Sequence, residues 1–102
     1  MSEPLSPTRC TTMAEVRAGV DALDRQLVAM LATRFGYMDA AARIKPERAM
    51  VRDETRKAAV IANARAEAER LGAPADRIAA LWETLVESSI AHELERFDAS
   101  RS

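Results

Sequence analysis

Apolar positions in the first half of the chain recur with a helical period. Val16, Val20, Leu23, Leu27, Met30, Arg34, Tyr37 and Ala41 follow one another at alternating spacings of four and three. That is the seam of a long amphipathic helix, close to a heptad pattern. Thr12-Met13-Ala14-Glu15 is a capping box that opens it. No proline interrupts the run until Pro46, which disfavours the helical conformation at Lys45 and predicts a stop there. After a short charged connection, Asp53 is a candidate N-cap for a second helix to about Leu71, with Gly72 at its C′ position. This helix is Ala-rich, with Val60 and Ile61 as its only large aliphatics before Leu71, and reads as a cover. Pro74 suits the first turn of a third helix reaching about Phe97. Its stripe is Ile78, Leu81, Trp82, Leu85, Ser89, Glu93 and Phe97, with Val86 and Ile90 alongside. The expected fold is all-α, three helices in the order long, short, medium. Residues 1–11 read as an N-terminal arm, 12–97 as the helical domain and 98–102 as a frayed tail.

A helix of thirty-odd residues makes a rod of roughly 45–50 Å. A compact chain of this size has a diameter of only about 33 Å. The rod outruns a monomeric globule, and its apolar seam needs cover. A second copy of the same chain is the expected neighbour, so a homodimer is predicted.

Charge narrows the function classes. The formal net charge is −1 over 102 residues, and four aromatic side chains are present. Neither a nucleic acid nor a membrane surface is an expected partner. Cys10 is alone and has no histidine near it in sequence, so it reads as an incidental thiol in a reducing compartment. No apolar run resembles a signal peptide or a membrane span, and the expected location is cytoplasmic.

The candidate chemistry lies in the polar residues that break the stripes. Arg34 sits between Met30 and Leu31 on one side and Tyr37 and Met38 on the other. A guanidinium among apolar side chains is costly unless an anion meets it. Lys45 follows eleven residues later on the same face, about 16 Å along the axis. Arg17 is seventeen residues before Arg34, about 25 Å away and about 100° round, so it reaches the same small ligand only from a partner copy. Arg52 adds a cation if its loop folds back. Ser89 and Glu93 interrupt the third stripe one turn apart. Two readings fit. Arg34 and Glu93 form a structural salt bridge, with Arg17 and Arg52 at the surface. Alternatively, cations in excess of the single stripe carboxylate bind a multiply anionic ligand, for which arginine suits bidentate carboxylates. Lone His92 reads as a surface histidine. No metal-ligand spacing, phosphate loop or nucleophile–base pair is present, so no cofactor or metal is expected.

The run Arg17-x-x-x-Asp21-x-x-Asp24-x-x-Leu27-x-x-x-Leu31-x-x-Arg34, then Lys45 and Val51-Arg52-Asp53, resembles the all-helical class of chorismate mutase. The stretch from Leu81-Trp82 through Ser89 and Glu93 fits that family's final helix. The resemblance implies an intertwined three-helix dimer with two sites, each borrowing one arginine from the other subunit. By position, Arg17 would be the crossing arginine. Arg34 and Arg52 would hold carboxylates of a small dicarboxylate substrate. Lys45 would donate to the ether oxygen, Asp53 would sit near the substrate hydroxyl, and Ser89 would line the carboxylate end. The implied reaction is the Claisen rearrangement of chorismate to prephenate, in aromatic amino-acid biosynthesis.

Two positions depart from the commonest bacterial pattern. Glu93 stands where many relatives have Gln, and a carboxyl group donates to the ether oxygen only when protonated. Lys57 stands where mutases often have a Glu that orients the substrate hydroxyl, and is expected to be a solvated helix lysine. The same scaffold serves isochorismate-pyruvate lyase, and Cys10-Thr11, Val16-Arg17 and Tyr37 through Lys45 resemble that relative. A catalytically silent helical dimer is the remaining alternative.

Overall fold

Helix formation in this chain is punctuated by its caps. The computed structural model describes residues 3–101; Met1 and Ser2 of the expected arm and Ser102 of the expected tail lie outside them. Three helices are present: α1 (Met13–Ile44), α2 (Glu54–Leu71) and α3 (Ala75–Ser100). Single 3₁₀ turns at Pro7–Arg9 and Arg48–Met50 complete the regular structure, and there is no strand among the described residues. Among the described residues no helix is long and apolar enough to cross a membrane. The chain divides into two compact units, one ending at Arg34 and one beginning at Phe35.

In the first unit the capping box forms in both directions. Thr12 Oγ1 accepts from the Glu15 amide at 3.2 Å, and Glu15 Oε1 accepts from the Thr12 amide at 3.0 Å. The Thr11 amide donates to the same oxygen at 3.0 Å. These bonds, led by that from the Thr11 amide, hold the Glu15 carboxyl below its ordinary range. Every orphan donor met in this way favours the helix start. The predicted seam lies open: Val16, Val20, Leu23, Leu27 and Met30 are 37–68% exposed.

The second unit holds the core. Ala42 from the last turns of α1, Val51 from the connection, and Val86, Ile90 and Phe97 from α3 form one buried cluster. Val60, Ile61, Trp82 and Leu94 pack against it partly buried. Helices α2 and α3 form a hairpin. Gly72 adopts φ 72°, with Gly72 N–H donating to Glu69 O at 3.2 Å and Ala73 N–H to Ala68 O at 2.8 Å. This is the Schellman pattern, and its left-handed residue suits glycine. Buried Ala68 and Ala79 flank the turn. Asp53 caps α2 as predicted, its Oδ1 accepting from the Arg56 amide at 3.0 Å. Pro74 falls at the N-cap of α3, one residue outside the first turn.

Helix α3 outruns its predicted end near Phe97 by three residues. The extra turn is anchored: Asp98 takes two hydrogen bonds from Arg48, at 2.9 and 3.3 Å, and Ser100 Oγ donates to Phe97 O at 2.9 Å. Arg101, just beyond, donates to the carbonyls of Ala42 and Lys45.

Gly72→Ala places a side chain in the left-handed region and is expected to destabilise the fold by about 1 kcal/mol. Thermal unfolding followed by circular dichroism should show a Tm lower by several degrees; an unchanged Tm would mean that the turn relaxes freely.

Candidate active site

Lys45 is the first residue past α1. Its amide still donates to Ala41 O at 2.9 Å, and Pro46 turns the chain immediately after it. Its side chain therefore leaves from a fixed helix end. The Lys45 ammonium lies 2.8 Å from Glu93 Oε2 on α3; the side chains are 30% and 5% exposed. A buried carboxyl group is thus met by a cation at charge-assisted hydrogen-bond distance. Ser89, one turn before Glu93, is 3% exposed, and its hydroxyl donates to Leu85 O at 2.7 Å. The stripe-breaking residues of α3 thus share one buried face, and Lys45 meets the Glu93 end of it.

A second cluster surrounds the start of α2. Arg52 engages both carboxylate oxygens of Glu87, at 2.8 and 3.1 Å, and Glu54 at 2.8 Å. Lys57 lies 2.6 Å from Glu83 and 2.8 Å from Glu87. The Lys57 side chain is 16% exposed, which corrects the expectation of a solvated lysine. The reason is register: the hairpin runs α2 and α3 antiparallel, so Lys57 faces Glu83 and Glu87 just as Arg65 faces Asp76 near the turn. Hydrogen bonds from Arg52 first, and from Lys57 next, hold the Glu87 carboxyl down at about 2. Glu83 and then Glu87 raise Lys57 above its ordinary value. Asp53 is engaged as the α2 cap. One turn on, the Arg56 side chain is exposed and makes no ion pair among the described residues.

Arg17 and Arg34 both lie on α1 in the first unit. Their separation of seventeen helical residues is about 25 Å and about 100° of rotation, so no small ligand touches both on one chain. Arg34 is half-buried and engaged. His92 is tied to Asp39 at 2.7 Å and meets the Phe35 ring edge-on at 5.1 Å; Arg96 approaches the same Asp39 oxygen at 3.6 Å.

Among the predicted site residues, the structure joins Lys45 to Glu93, sets Ser89 on the same face of α3, and fastens Arg52 beside the Asp53 cap. Glu87 was not anticipated. Its signal was present in the spacing: a hairpin folded about Gly72–Pro74 sets positions 57 and 87 opposite each other.

Residues 16–94 match the family described as chorismate mutase type II. The chain belongs to that family. The isochorismate pyruvate lyase of Pseudomonas aeruginosa is similar to it, 28% identical over 96 residues that cover 94% of this chain and 95% of that protein. All seven residues predicted for the site of this chorismate mutase family member, from Arg17 to Glu93, fall inside the matched span.

The Glu87 cluster has a pH signature. Its folded value of about 2 lies below the ordinary 4.5. The stabilisation is therefore present above the ordinary value and is lost as pH falls toward the folded one. Tm measured from pH 6 down to pH 2 should drop on this limb. Glu87→Gln is expected to lower Tm near neutral pH and to flatten the limb; an identical acid limb in the variant would show that the drop has another origin.

Proposed function

We propose that this chain is a homodimeric enzyme that rearranges chorismate to prephenate, a step toward aromatic amino acids, in the cytoplasm. The observation that carries the reading is the Lys45 ammonium 2.8 Å from the buried Glu93 carboxyl group in a chorismate mutase type II chain. As the C–O bond of the ether breaks, negative charge grows on its oxygen. An ammonium aimed there, held in place by Glu93, stabilises the transition state more than the ground state. Arginines on the carboxylates hold the chair-like conformer, and the electrons shift within the substrate without a covalent intermediate. In this reading Arg34 binds one carboxylate and Ser89 swings its hydroxyl from Leu85 O toward it. Asp53 lies near the substrate hydroxyl. Arg52 spends its donors on Glu87 and Glu54 and joins carboxylate binding only by exchanging them. Arg56 has donors to spare at the same end of α2.

The dimer is supported by the open seam of α1, and among the described residues no large side chain is fully buried. A second copy covering that seam would bring Arg17 to the other chain's Lys45.

A second reading is favoured by the similarity to isochorismate pyruvate lyase. It keeps the pocket and breaks the corresponding C–O bond of isochorismate while a ring hydrogen passes to the enolpyruvyl methylene, releasing pyruvate and leaving the aromatised ring as salicylate. A silent helical dimer is the third reading, with the Lys45–Glu93 contact purely structural. Purified protein incubated with chorismate and with isochorismate decides among them: prephenate, pyruvate with salicylate, or no turnover.

On the substrate that is turned over, Lys45→Ala is expected to reduce kcat by about a hundredfold or more; near-normal turnover would remove Lys45 from the mechanism. Mixing Arg17→Ala with Lys45→Ala subunits should restore about a quarter of native activity, because half the dimers then carry one intact site. No recovery on mixing would place both residues in the same chain's site.

A further inference from the structure

At four-residue steps along α3 one stripe reads Ser89, Glu93, Phe97, Arg101. The first three are buried, and the fourth lies just beyond the helix end at Ser100. The Arg101 guanidinium sits 3.9 Å over the Phe97 ring. One terminal nitrogen donates to Ala42 O at 2.6 Å and to Ser100 Oγ at 2.7 Å; the other donates to Lys45 O at 2.7 Å.

Part of this is capping. Helix α1 ends at Ile44, so the carbonyls of its last turn lack intrahelical donors, and a cation suits the negative end of the helix dipole. The bond to Lys45 O goes further, because the same residue's ammonium lies 2.8 Å from Glu93. Helix α3 therefore grips Lys45 at both ends, its head group through Glu93 and its backbone through Arg101. A lysine side chain is long and rotamer-rich, and its ammonium is aimed only when both ends are held. The ring of Phe97 sets the guanidinium in place between them.

We propose that Arg101 is a positioning residue for Lys45, fixing the ammonium where ether-oxygen charge develops. The proposal rests on the role given to Lys45 above, so its test needs one readout that does not depend on turnover. The chain has two lysines, Lys45 and Lys57, which makes amine labelling a clean measure. Full-length native protein, Arg101→Ala and Arg101→Lys are acetylated with a limiting N-hydroxysuccinimide ester, and each lysine is quantified by mass spectrometry. Lys45 should be acetylated several-fold faster in Arg101→Ala, with Lys57 unchanged as internal reference. Arg101→Lys, which keeps the charge and can reach one carbonyl, should fall between. Equal Lys45 rates in all three proteins would overturn the proposal.

Kinetics supply the second arm, at a temperature where circular dichroism shows every variant folded. Arg101→Ala should lower kcat about tenfold or more with little change in KM. Introduced into Lys45→Ala, it should cost almost nothing further, since it acts through Lys45. An equal loss in both backgrounds would reduce Arg101 to a general stabiliser and sink the idea. Failure of the native protein to turn over either substrate would count against the proposed function, while the labelling result would still decide the role of Arg101.

Discussion

A carboxylate only 5% exposed persists in a folded chain when a cation reaches it, and here that cation is Lys45. The rest of the second unit is arranged to make this contact. Helix α1 must stop where Pro46 stops it, so that Lys45 leaves from a defined end. Helix α3 must present Glu93 inward, which its stripe of Val86, Ile90 and Phe97 ensures. The connection must fold back, and Val51, 3% exposed, pins it into the core.

The helices were almost fully legible in the sequence. Capping signals act locally, so Thr12 with Glu15, Asp53 and Gly72 marked their boundaries to within a residue. The end of α3 was not legible. Its last turn is held by Arg48 on Asp98 and by Arg101 on Ala42 and Lys45, contacts fifty or more residues apart in sequence that no local propensity encodes. For the site, the stripe defects at Ser89 and Glu93 pointed to a shared buried face, which the fold supplies. The environment of Lys57 was misjudged, since a lone lysine on an Ala-rich helix looks solvated until the opposite helix is aligned with it. In the proposed dimer, Arg17 and Arg34 reach a ligand only across a partner surface, which periodicity signals only as an uncovered seam.

The two charge clusters of the second unit differ in kind. Around Glu87 the cations and carboxylates satisfy one another at the rim, with Arg52 and Glu87 each more than two-fifths exposed. Such a network fixes register between α2 and α3 more than it adds stability. Around Glu93 burial is deeper, and the Lys45 ammonium meets the carboxylate there.

The Gly72 turn has a consequence for how the molecule is made. Helices α2 and α3 meet across a three-residue connection, so their contacts are local in sequence and cheap in loop entropy. That hairpin can form early and by itself carries Val86, Ile90 and Phe97. The open seam of α1 has no comparable neighbour close in sequence, and in the proposed dimer its cover arrives by collision. Assembly would then be a fast, concentration-independent step followed by a slower one whose rate rises with the number of chains in solution. In the proposed dimer, a newly made chain would meet its substrate only after it had met its twin.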